Sequence, residues 1–190
     1  MRLFRVFPQD PSAADNNEGS ALYVPPPSTL GHIANVDLYR ELYFAAQPEA
    51  AVAEIFGALF AWYPSDFVHA SGRHYAVSTY DLDDTDRILN LNDTAALRTA
   101  GVKQPSHVVT RDRTVSQGWA RTIFATGKYH GVLWWSYYCP DWTVCALWEF
   151  SSLRHVGPVE TLTPSHPAVL LAARTIVRQI HPRPPASRRR

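Results

Sequence analysis

The chain has 190 residues, a hydrophobic fraction of 46% and a formal charge of +1. That length suffices for one domain with its own core, and near-neutrality removes the net field that direct nucleic-acid binding exploits. No run approaches the roughly 20 apolar residues of a membrane helix, and the opening MRLFRVFPQD lacks a signal-peptide apolar region, so the default expectation is a cytoplasmic protein with no membrane partner.

Arg2 to Phe7 reads as a short strand, with Leu3 and Arg5 on one face and Phe4 and Val6 on the other. Arg5 is a cation in an apolar segment; an edge-strand arginine with a snorkelling stem is the plain alternative to a binding role. Pro8 to Gly19 is loop-like. Ala21 to Val24 is extended, Pro25 to Pro27 form a stiff turn, and Leu30 to Leu38 is irregular, with Gly31 and Asn35 as turn residues. Loops this long inside a domain are commonly functional or disordered.

Leu42, Tyr43, Phe44 and Ala45 form a buried-strand pattern. Pro48 and Glu49 then suit a first helical turn, and Ala50 to Phe60 is apolar almost all round, which predicts a buried helix. Tyr63-Pro64-Ser65-Asp66 breaks the chain. Tyr75 to Leu82 alternates as a strand, and Asp81, Asp83, Asp84 and Asp86 crowd the turn after it without the spacing or glycine of a calcium loop. Arg87 to Leu91 is a further strand, and Asn92 or Asp93 caps a helix to about Thr99.

Thr110 to Thr114 reads as polar linker. Thr114 to Thr126 has helical spacing, ended by Gly127. Gly131 to Trp135 is a continuous apolar strand with Ser136 at its exit, and Val144 to Phe150 returns. A last strand spans Val156 to Leu162. A helix starts at Pro164 or Ser165, with a buried stripe of Ala168, Leu171, Ala172, Ile176, Val177 and Ile180, and 182–190 is a basic tail. Cys139 and Cys145 lack zinc spacing, and Cys145 reads as an inert core thiol, so no metal and no cysteine chemistry is expected. The order implies a single α+β domain over 1–181 with a mixed sheet.

One carboxylate, Glu54, sits in the apolar helix. A buried, unpaired carboxylate is costly or raises its pKa, so Glu54 either meets a partner, lies at a helix edge or faces a cavity. The functional reading puts Glu54 and Tyr43 in one pocket with Ser136 and Arg5. Ser136 alone reads equally as a turn hydroxyl bonded to backbone.

Together, Arg5, Gly31 with Asn35, Leu42-Tyr43, Ala51-Val52-Ala53-Glu54, Gln117-Gly118-Trp119-Ala120 and Gly131 to Ser136 resemble the RES domain family, over about Arg2 to Phe150. The resemblance implies an ADP-ribosyltransferase-like fold. It implies a toxin neutralised by an Xre-type helix-turn-helix antitoxin, with a homodimer allowed. It also implies consumption of NAD⁺ at the nicotinamide–ribose bond, by phosphorolysis or ADP-ribosyl transfer, with inorganic phosphate as a candidate co-substrate. Glu54 and Ser136 match the family's catalytic glutamate and serine, and Arg5, His32 and Tyr43 fall at its substrate-binding positions.

One of these departs. His32, eleven residues before Tyr43 and 22 before Glu54, stands where the family places its arginine. Either Arg5 or Arg40 carries the phosphate charge, or the protein is a weakened or inactive nucleotide-binding relative. If His32 itself takes the arginine's place, phosphate binding should improve towards pH 6 as the imidazolium forms, and His32→Arg should tighten it.

Overall fold

The computed structural model describes residues 1–83 and 85–182. Asp84 and most of the basic tail fall outside the described residues. Seven strands form one sheet: β1 (Arg2–Pro8), β2 (Leu42–Ala45), β4 (Tyr75–Leu82), β5 (Ile88–Asn90), β6 (Gly131–Trp135), β7 (Thr143–Leu147) and β8 (Leu153–Thr161). Their order is β5-β6-β7-β2-β1-β4-β8. The β5–β6 pair is parallel and the other neighbours are antiparallel. β3 (Ala61–Trp62) pairs in parallel with β9 (Gln179–Ile180) as a separate ribbon. The sheet is thus mixed, as the element order implies.

Side-chain alternation divides the sheet into two faces. Val6, Ala45, Val77, Val132, Trp134, Val144 and Ala146 look towards α1 (Pro48–Phe56), α2 (Thr94–Thr99), α3 (Arg113–Ala125) and α4 (Pro167–Thr175) and share the larger core with them. Leu3, Leu42, Phe44, Tyr80, Cys145 and Leu147 look the other way, into a smaller core that Ala21, Leu22 and Val24 help cover. Cys145 is fully buried there, and burial pushes its thiol pKa well up. It is an inert core thiol.

Two expected boundaries move. α1 stops at Phe56, where the Gly57 N–H closes on the Ala53 carbonyl at 2.7 Å. Phe60 is therefore 78% exposed rather than buried. A Cβ on Gly57 would lie 2.6 Å from the Tyr138 ring, so the missing side chain is what lets Tyr138 close over the helix end. Arg178 caps the same point, donating to the Gly57 carbonyl from Nε at 3.1 Å and Nη2 at 2.8 Å. α4 ends before the expected stripe does. Val177 takes a positive φ of 54° and is 82% exposed, and Gln179–Ile180 becomes a strand. Leu171 also faces outward; Val169 and Ala173 take its place in the core. In the acidic turn, Asp81 pairs with Arg2 at 2.8 Å and Asp83 with Arg154 at 3.0 Å. Among the described residues no acidic or His/Cys group could hold a metal.

Candidate functional site

The β2 strand turns directly into α1, so Tyr43 on the sheet and Glu54 on the helix border the same space. That space is a cavity of about 400 Å³ whose walls include Tyr43, Glu54, Ile55, Arg113, Trp134 and Tyr138, within the size range of small-molecule sites. α1 is not buried all round. Ala50 to Ala53 and Phe56 pack inward, while Glu54 and Ile55 open onto the cavity.

Glu54 Oε1 accepts a hydrogen bond from Ser136 Oγ at 2.5 Å. Ser136 follows Val132 and Trp134 on the helix-facing side of its strand, which is why it reaches α1. It is 1% exposed, and its Oγ also accepts from the Tyr138 N–H at 3.1 Å. Ser136 stands behind Glu54 rather than in the cavity wall and orients the carboxylate. Desolvation by the surrounding protein raises the Glu54 pKa above the ordinary glutamate value, and the Ser136 hydrogen bond opposes that rise.

Tyr43 presents its ring to the cavity, and its hydroxyl accepts from the Ile33 N–H at 3.0 Å. Its oxygen is thus tied to the 31–35 loop, and burial pushes its pKa well up. A Cβ on Gly31 would come within 2.6 Å of Glu41 Oε1 and 2.8 Å of the Tyr43 hydroxyl, so the loop can pass only as glycine. Asn35 locks the loop to α3: its Nδ2 donates to the Ile33 and Gln117 carbonyls at 3.2 and 3.0 Å, and Arg121 Nε donates to its Oδ1 at 3.2 Å.

His32 lines the cavity but does not act as a cation. Its Nε2 donates to the Val108 carbonyl at 2.5 Å, which leaves Nδ1 as an acceptor, and Arg113 Nη1 donates to it at 2.8 Å. The imidazole packs against Trp119 and Trp134, with ring centroids 6.0 and 5.7 Å away. Burial pushes its pKa down to about 4; the Val108 bond works against this and the Arg113 charge adds to it. The expected gain of charge towards pH 6 therefore does not occur, because the imidazole is neutral there.

Arg5 is also placed differently. Phe4 to Val6 border the cavity, but the Arg5 side chain shares the Leu3 face. Its Nη1 donates to the Ala21 and Tyr23 carbonyls at 3.3 and 3.0 Å. This guanidinium fastens the 21–24 segment to the far side of the sheet. Arg40 is exposed and donates to the Pro25 carbonyl at 3.0 Å. Besides Arg5, whose guanidinium is turned away, the arginines bordering the cavity among the described residues are Arg111 and Arg113, in the segment read as polar linker. The legible signal was Arg113 itself: a guanidinium on the first residue of a helix opposes the macrodipole, so something other than helix stability accounts for it.

The RES domain family matches residues 2–165. Among curated proteins none matches. Among solved structures, a chain of the M. tuberculosis MbcT–MbcA toxin–antitoxin complex superimposes with a TM-score of 0.60 at 15% identity. The alignment covers 90% of this chain and 88% of that one, a likeness of fold. With the family match spanning most of its length, the chain belongs to the RES domain family.

Proposed function

We propose that this protein is the toxin of a toxin–antitoxin pair and that it consumes NAD⁺. The observation carrying this reading is the Glu54–Ser136 hydrogen bond at the edge of the cavity bordered by Tyr43. Membership of the RES family, and the toxin–antitoxin complex to which a structural relative belongs, support it.

In the proposed reaction the bond between the ribose C1′ and the nicotinamide nitrogen breaks. The electron pair leaves with neutral nicotinamide, and positive charge develops on the ribose as in glycoside cleavage. Glu54, ionised and held by Ser136, stabilises that charge, and the low dielectric of the cavity strengthens the effect. The Tyr43 ring offers a stacking surface for a flat heterocycle. A nucleophile then adds to C1′: the oxygen of inorganic phosphate in phosphorolysis, or of an acceptor in ADP-ribosyl transfer. The step needs no metal. An Xre-type helix-turn-helix protein is the proposed antitoxin, silencing the toxin by binding it.

The test is release of nicotinamide from NAD⁺ by the purified wild-type chain and by Glu54→Gln, with and without inorganic phosphate. Release by wild type alone supports the reading, and the phosphate dependence assigns the acceptor. No release by wild type in any condition overturns it in favour of a nucleotide-binding protein without catalysis.

A further inference from the structure

Among the described residues the cavity is bordered by one acidic residue, Glu54, and by three arginines, of which Arg5 turns its guanidinium to the Ala21 and Tyr23 carbonyls and leaves Arg111 and Arg113. Neither arginine has a carboxylate partner among the described residues. Asp112 lies between them, but its Oδ1 accepts from the Thr114 N–H at 2.9 Å as the cap of α3. Arg111 lies over the Tyr137 ring, 5.0 Å from its centroid, and its Nη2 donates to the Tyr137 hydroxyl at 3.3 Å. The Arg113 guanidinium makes one hydrogen bond among the described residues, to His32 Nδ1, and its other N–H groups are left for a ligand. Two unneutralised guanidiniums at one cavity wall are suited to a polyanion with closely spaced oxygens.

His32 in the 31–35 loop fixes where that charge lies, because its ring holds an arginine from α3. The Val108 carbonyl fixes the tautomer by taking the Nε2 proton, so Nδ1 presents a lone pair to Arg113. The two Trp rings fix the plane of the imidazole. An arginine side chain, which has many rotamers, is thereby pinned by a group with almost none.

We propose that Arg113, assisted by Arg111, binds the pyrophosphate of the dinucleotide substrate, and that His32 is a positioning residue that aims Arg113. The guanidinium comes from the helix, and the 31–35 loop supplies the brace for it. This rests on the NAD⁺ reading above. It differs from a His32-centred anion site in one respect: His32→Arg places a second guanidinium against Arg113 and fails to improve binding.

The experiment measures NAD⁺ turnover and calorimetric binding of inorganic pyrophosphate, using the full chain and its Arg113→Ala, Arg113→Lys, His32→Ala and double His32→Ala/Arg113→Ala variants. Arg113→Ala removes a residue that opposes the helix dipole, so the fold survives. Its expected effect is a ~10- to 100-fold rise in KM and in pyrophosphate Kd, with kcat changed much less. Arg113→Lys recovers part of this. The double variant is no worse than Arg113→Ala, because His32 acts through Arg113. Wild-type KM and pyrophosphate affinity in Arg113→Ala would overturn the proposal, as would losses that add in the double variant. If wild type releases no nicotinamide, the NAD⁺ reading fails by itself, and the pyrophosphate arm still decides whether Arg113 forms an anion site.

Discussion

Ser136 Oγ and Glu54 Oε1 meet at 2.5 Å although 82 positions separate them in the chain. The hydroxyl is buried and the carboxylate opens onto the cavity. One residue therefore faces the ligand space and the other sets its direction and its acidity.

Glu54→Gln should leave the fold intact. Replacing a carboxylate whose ionised form is disfavoured by burial removes a strain rather than a contact. NAD⁺ consumption should fall by about 10²-fold or more. Circular dichroism together with nicotinamide release checks both halves, and near-wild-type turnover by a folded variant would rule Glu54 out.

Ser136→Ala should act through Glu54. The Ser136 hydrogen bond holds the Glu54 pKa down against desolvation, so its loss moves that pKa further up. In the proposed reaction the ionised carboxylate is the active form, so the acid limb of the kcat profile should shift to higher pH. A lower rate with an unmoved limb would mean that Ser136 does something other than tune Glu54.

The depressed His32 pKa makes a stability prediction whose sign is fixed. The folded value is about 4 against an ordinary 6.5, so the unfolded chain binds the proton more tightly. The stability contributed by neutral His32 is complete above about pH 6.5 and is lost as pH falls towards 4. Relative to His32→Gln, wild type should lose about 2 kcal/mol between pH 7 and pH 5. Urea melts of both proteins at the two pH values measure this, and parallel curves would show that His32 is not held neutral.

Tyr43→Phe separates architecture from binding. The ring stays in the cavity, but the Ile33 N–H loses its acceptor at 3.0 Å. An orphaned donor of this kind costs about 1–3 kcal/mol. Stability should fall by that amount, while substrate binding falls only as far as the 31–35 loop loosens. Unchanged stability would show that water replaces the hydroxyl.

Much of the sheet was legible because strands carry their own signature. Tyr75 to Leu82 alternates and Gly131 to Trp135 is continuously apolar, and both fold as read. The Tyr43-to-Glu54 turn was legible because Pro48 marks the helix start. What local pattern cannot carry is orientation relative to distant elements. Alternation put Arg5 opposite Val6, but only the register with β4 and the packing of Ala21 and Tyr23 show which side holds the cavity. The Arg111-Asp112-Arg113 stretch looked like linker because hydrophobic periodicity is blind to two cations brought to a cavity by tertiary packing. His32 looked titratable because its sequence neighbours are unremarkable; the groups that keep it neutral, Val108 and Arg113, lie 76 and 81 positions away.

The central position of β2 has a consequence for how the molecule comes into being. Its four residues are flanked by β1 on one side and β7 on the other, with Leu42 opposite Leu147. Pairings this remote in sequence close large loops and make folding slow. Until β7 docks, β2 keeps an unpaired edge, and Ser136, which precedes β7, has nothing to hold it against α1. A copy still growing, or cut short before Thr143, thus has Tyr43 and Glu54 without the partner that aims the acid. The order of the strands thus makes the Glu54–Ser136 contact wait on pairings made late in the chain.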